Sequence, residues 1–182
     1  MGKRIVIPML AALLPHIPAL AEETAMYEAV AAYVGVPSDV LYAMAMTESG
    51  LYREGQSQPW PWTLNIEGKA KRYDNRDDMF ESLMAALQAG HSSVDIGPMQ
   101  VNWYWQYELA GSPWTITDPV VNLKIGAVIL KTHYLDTGDW WEAVGRYHRP
   151  AQTPEHKAAA QRYASKVLEA LRLSSNGETN DV

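Results

Sequence analysis

The sequence contains no cysteine, which excludes disulfides, thiolate metal sites and a cysteine nucleophile together. It has a single phenylalanine, Phe80, against seven tryptophans and ten tyrosines. Rings that carry a polar handle thus far outnumber the purely apolar one, a bias suited to rings that face a ligand. A basic block is also missing: 15 Lys and Arg stand against 21 Asp and Glu, a net charge of −6. Such a chain is poorly equipped to grip nucleic acid or an anionic membrane face. No His-Glu-x-x-His motif occurs, and His91, His133 and His156 lack metal-ligand spacing, so no catalytic metal or other cofactor is expected. What is present is a chain of 182 residues, 47% hydrophobic and 20% charged, which is enough for one folded domain.

The first 21 residues have the form of a secretory leader. Lys3 and Arg4 give a short basic start, Ile5 to Leu14 is nearly all apolar, and Ala19-Leu20-Ala21 is a small-x-small cleavage site. Pro8, Pro15 and Pro18 interrupt a run already shorter than the roughly 20 residues of a membrane span. Cleavage after Ala21 is therefore expected to leave no membrane span. The mature chain, residues 22–182, would carry 13 cations against 21 anions. A leader of this kind predicts a periplasmic protein.

The remainder reads as one mostly helical domain over residues 22–173, with a polar, flexible tail over 174–182. A helix over 22–34 places Met26, Val30 and Tyr33 on one face. A second opens at Pro37-Ser38-Asp39 and runs to about Glu48, ended by Ser49-Gly50. Residues 51–73 are broken by Gly55, Pro59 and Pro61, and a small β-hairpin is expected from Thr63 to Tyr73, turning at Glu67-Gly68-Lys69. Asp77 starts a helix with an apolar face of Phe80, Leu83, Met84 and Leu87, closed by Gly90. Residues 91–102 are extended, and 103–109 form a short helix. Asp118-Pro119 and Asp139 each cap a further helix, and Thr153-Pro154 opens the last, with Tyr163, Val167 and Leu171 on its apolar face. The segment order is that of a lysozyme-like α+β domain with a small β-hairpin element.

Glu48 is the first candidate for chemistry. Leu41, Met44 and Ala45 precede it by seven, four and three positions, so its carboxyl extends the buried face of its helix. Lost solvent and the negative end of the helix dipole both favour the protonated acid, which is what a general acid near neutral pH requires. Position alone leaves a helix-end glutamate rotated into solvent an equal alternative.

Neighbouring motifs tip that balance. Met46-Thr47-Glu48-Ser49-Gly50, then Asp95-Ile96-Gly97-Pro98-Met99-Gln100-Val101-Asn102, then Gly145-Arg146-Tyr147-His148 resemble the family 1 lytic transglycosylases (SLT domain). The Trp-rich insert after Glu-Ser-Gly looks most like the small transglycosylases of conjugative type IV secretion systems. The resemblance covers about Val36 to Tyr163. It implies cleavage of the MurNAc-β-1,4-GlcNAc bond of peptidoglycan glycan strands, leaving 1,6-anhydromuramoyl ends and opening the wall locally. Proteins of a secretion or conjugation apparatus are the implied partners.

By the same resemblance Glu48 is the sole acid and base, and Ser49 hydrogen-bonds the glycan. Met99, Gln100 and Asn102 belong to the substrate-binding segment, Met99 and Gln100 lining the groove, and the Tyr147 hydroxyl lies against Glu48. Pro98 stands where Leu is usual, and His148 where Asn is usual, so His148 is either a substrate contact or a structural residue. Trp60 and Trp62, among prolines, either stack on sugar rings or pack the β-element, and Asn65 either bonds N-acetyl groups or packs with them. Trp103, Trp105, Trp114, Trp140 and Trp141 are expected in the core or the groove wall.

Two alternatives remain open at this point. A muramidase would use Asp95 as a second carboxylate to activate water, although an Asp just before a turn commonly accepts from nearby backbone N–H groups. A noncatalytic glycan-binding assembly component is the other, but pure binding has no need of a buried acid.

Overall fold

The computed structural model describes residues 19–53, 55–149 and 153–177. The leader expected over 1–21 therefore lies almost wholly outside the described residues, as do 178–182 of the expected tail. The chain runs α1 (Ala19–Val34), α2 (Ser38–Ser49), β1 (Gly50–Arg53), β2 (Gln56–Pro59), β3 (Thr63–Ile66), β4 (Lys69–Arg72), α3 (Arg76–Gln88), β5 (Val94–Ile96), β6 (Val101–Asn102), α4 (Trp103–Ala110), α5 (Pro113–Ile116), α6 (Pro119–Thr137), α7 (Trp140–His148) and α8 (Pro154–Gly177). The mostly helical α+β architecture is the expected one. Among the described residues no single helix is long and apolar enough to cross a membrane.

Helix α2 is the hub: α1, α8 and the first hairpin pack on it, and α6 and α7 complete the helical layer. Its Leu41, Ala43, Met44 and Ala45 are fully buried. A Leu or Met buried in this way stabilises by about 1.5–3 kcal/mol, so the register of α2, and with it the place of Glu48, is firmly set. The face of α1 differs from the expected one. Tyr27, Val30 and Ala31 are buried, at i, i+3 and i+4, while Tyr33 is 81% exposed beneath the Lys124 ammonium. In α3 likewise Met79, Leu83 and Ala86 are buried, and Phe80 instead meets Trp114 edge-on. Helix α3 begins one residue before Asp77, because Asn75 accepts from the Asp78 N–H as its cap. Asp118 and Asp139 cap α6 and α7 as expected. Helix α8 continues through Gly177, into the stretch read as a frayed tail.

The β-structure is larger than one hairpin. β1 and β2 pair antiparallel as a separate ribbon, and the expected hairpin β3–β4 is extended into a four-stranded antiparallel sheet ordered β4-β3-β5-β6. Its register sets Asn65 opposite Asp95 and Asp95 opposite Asn102. Side chains directly opposite in neighbouring strands share a face, so these three polar residues form one row across the sheet.

Between β5 and β6 the chain makes a buried turn, Gly97-Pro98-Met99-Gln100. Gly97 has φ +76, and a Cβ there would lie 2.6 Å from Asn122, so no larger residue fits. Met99 is fully buried against Gly126, where a Cβ would meet its side chain at 2.7 Å. Gln100 takes φ +45, a strained value for a residue with a side chain.

Candidate active site

The turn is tied to three helices by one residue each. Ser49 at the end of α2 donates from its hydroxyl to the Pro98 carbonyl (2.9 Å) and to Ala45 of its own helix. Tyr147 on α7 donates to the Met99 carbonyl (2.8 Å). Asn122 on α6 is fully buried and satisfies three backbone groups, accepting from the Met99 N–H and donating to the carbonyls of Ile96 and Ile116. These ties correct two expectations. Ser49 is fully buried and engaged, so it does not face a glycan. Met99 is core rather than groove lining. Tyr147 lies near Glu48, close enough for that carboxylate to raise its pKa, and donates its hydroxyl to the turn. Gln100 also folds back, its amide nitrogen donating to the carbonyls of Gly97 and Thr63.

The partner of Glu48 is Tyr163, on α8. Its hydroxyl donates to Glu48 Oε1 at 2.6 Å across 115 residues of sequence. Spacing with Val167 and Leu171 marks Tyr163 as core, and it is buried. The available signal was its hydroxyl, since a phenol on a buried face needs a polar partner. Burial raises the Glu48 pKa to about 7, opposed by the Tyr163 hydrogen bond and reinforced by the nearby Asp95 charge. The carboxyl thus holds its proton near neutral pH while remaining partly accessible.

Asp95 does not bond to nearby backbone N–H groups as expected. Its Oδ1 accepts from Asn102 Nδ2 at 2.7 Å, along the polar row of the sheet. Burial raises its pKa, against the Asn102 bond and the His148 ring when that ring is protonated. His148 itself is exposed and lies flat on Tyr163, ring centroids 4.7 Å apart and planes within 6°.

Of the two tryptophans among prolines, Trp60 is packing. It is 8% exposed, its indole N–H donates to the Tyr73 carbonyl at 2.7 Å, and Arg53 covers its ring. Trp60→Phe should therefore cost about 1–2 kcal/mol in urea unfolding, by leaving that carbonyl unpaired, while affinity for glycan oligomers stays unchanged. A loss of affinity without destabilisation would contradict this placement. Trp62 meets Trp60 edge-on and is only partly buried, yet its Nε1 is buried without a hydrogen-bond partner, as are Asn65 Oδ1 and Asn102 Oδ1. Each such atom costs about 1–3 kcal/mol unless a partner arrives. Among the other tryptophans, Trp140 stacks on Tyr134, Trp114 holds Phe80 and Arg76, and Trp105 is 73% exposed. Among the described residues no group of three His, Asp or Glu side chains is placed to hold a metal ion.

The sequence has relatives. The transglycosylase SLT domain matches residues 25–168, a span that includes Glu48, the turn and Tyr163. Invasion protein IagB of Salmonella typhimurium, and that of Salmonella typhi, are each 32% identical to the chain over 99 residues. That match covers 50% of this chain and 61% of each relative's own length. No solved structure matches the chain at the same stringency. With the family's match running through every element that builds the site, the chain belongs to the transglycosylase SLT family.

Proposed function

We propose that the protein is a lytic transglycosylase that cleaves the MurNAc-β-1,4-GlcNAc bond of peptidoglycan without water. The observation that carries this reading is the half-buried carboxyl of Glu48, its pKa raised to about 7 and its position fixed by Tyr163. The neutral acid protonates the glycosidic oxygen as the C1–O bond breaks. The resulting carboxylate then takes the proton of the muramoyl C6 hydroxyl as O6 bonds to C1, closing the 1,6-anhydro ring and restoring the acid. An intramolecular hydroxyl needs no second carboxylate to activate it, only a positioned sugar.

Trp62 Nε1, Asn65 Oδ1 and Asn102 Oδ1, buried and unpaired, would serve as one donor and two acceptors for N-acetyl and hydroxyl groups of the glycan once its binding turns these side chains outward. The reading extends to the periplasm, supported by the leader-like start. It extends further to local opening of the wall for a conjugative or secretion apparatus; the Salmonella relatives are named for invasion.

One observation favours hydrolysis as a second reading: Asp95 is close enough to raise the Glu48 pKa, which places two carboxyls at the site. Against it, one oxygen of Asp95 is committed to Asn102. Digestion of purified peptidoglycan in ¹⁸O-labelled water separates the two. Anhydro ends free of label are expected, and Asp95→Asn should retain activity within about tenfold of wild type. Label in every new reducing end, with Asp95→Asn as inactive as Glu48→Gln, would establish the muramidase instead.

A further inference from the structure

The stack of His148 on Tyr163 has no part in the steps above, yet among the described residues Tyr163 is the one side chain hydrogen-bonded to the acid. We propose that His148 is a positioning residue: its imidazole covers the exposed side of Tyr163 and so holds the phenol in hydrogen-bond geometry with Glu48. This inference rests on the reading of Glu48 as the acid.

Three features support it. The two rings come from different helices, α7 and α8, so their parallel contact at 4.7 Å joins elements that could otherwise shift independently. The outer ring is exposed and the inner one 6% exposed, so the imidazole lies between the phenol and water. The outer ring is also kept uncharged near neutral pH. Burial and the cations Arg149 and Lys166 lower the His148 pKa, and only Asp95 opposes them. A neutral imidazole stacks on a phenol without a desolvation cost for charge. The other groups facing the acid are Asp95 from β5 and Tyr147 from α7. Neither of them covers Tyr163 by a ring contact.

If His148 is the cover, removing the ring admits water to the Tyr163–Glu48 pair. Burial is the largest cause of the raised Glu48 pKa, so wetting should lower it; loosening the Tyr163 bond, which itself holds the pKa down, is the smaller effect and offsets only part of that fall. A planar ring that cannot titrate should keep it high. The test is a ¹³C NMR titration of the Glu48 carboxyl in wild type, His148→Ala and His148→Phe, with peptidoglycan turnover measured on the same samples.

In wild type the midpoint is expected at about 7. His148→Ala should lower it by about one unit or more and reduce turnover about tenfold, and His148→Phe should restore both. Because His148 is exposed, all three proteins should fold. A wild-type midpoint in His148→Ala, or equal impairment in Ala and Phe variants, would overturn the proposal. The titration needs no substrate. The expected midpoints in a protein that cuts no peptidoglycan would therefore sink the transglycosylase reading and leave the positioning role standing.

Discussion

Glu48→Gln is expected to lower glycan cleavage about 10²–10⁴-fold and, above neutral pH, to make the protein more stable. An amide cannot deliver a proton, but its oxygen can still accept the Tyr163 hydroxyl, so the local geometry survives. The stability gain follows from linkage. Glu48 titrates at about 7 in the folded protein against an ordinary 4.5, so the folded state binds more protons between those values. Stability contributed by this group is fully present below pH 4.5 and is lost as pH rises through 7. The loss amounts to roughly 3 kcal/mol, which glutamine would not suffer. Urea unfolding at pH 4 and pH 8 checks this: the variant should match wild type at the first and exceed it at the second. Equal stability at both, or near-wild-type turnover, would remove Glu48 from the role of buried acid.

Asn122→Ala is expected to cost about 3–5 kcal/mol, a large share of a typical domain's stability. The side chain satisfies the Met99 N–H and the Ile96 and Ile116 carbonyls in a fully buried place, and alanine leaves all three without it. Asn122→Asp is a sharper comparison. The carboxylate can still accept from Met99, but it cannot donate to two carbonyls and carries a buried charge, so it should be worse than alanine above neutral pH. Equilibrium denaturation of the two variants settles the order. A loss below about 1 kcal/mol for alanine would mean that the turn is held by Ser49 and Tyr147 alone.

Much of this fold was legible because local chemistry and tertiary packing agree. Asp118 and Asp139 cap helices where a side-chain acceptor precedes an apolar run, and Glu67-Gly68 turns a hairpin. Glu48 was legible for the same reason, since the buried face of α2 continues into it. The ribbon β1–β2 was not: Gln56-Ser57-Gln58-Pro59 shows no apolar alternation to mark it as a strand. Asn122 was hidden inside an apolar helix, where its polarity is spent on another segment's backbone. The ring contact of His148 depends on how α8 crosses α7, and the bond of Tyr163 on how α8 crosses α2, which no spacing within one helix encodes. The family motif located the right neighbourhood and Tyr147 beside the acid, but not Tyr163, whose hydroxyl bonds Glu48.

The three ties on the turn span 49, 23 and 48 residues of sequence, and the bond from Tyr163 to Glu48 spans 115. Closing segments of that length costs chain entropy that no single hydrogen bond repays, so the ties form together or not at all. The Met99 amide should accordingly exchange with deuterium only when the whole domain opens. An unfolded chain carries Glu48 as an ordinary solvated carboxyl, ionised at neutral pH and unable to donate. A protein built this way keeps its buried acid latent while unfolded: the acid comes into being with the last long-range contact, and a partly opened molecule loses it.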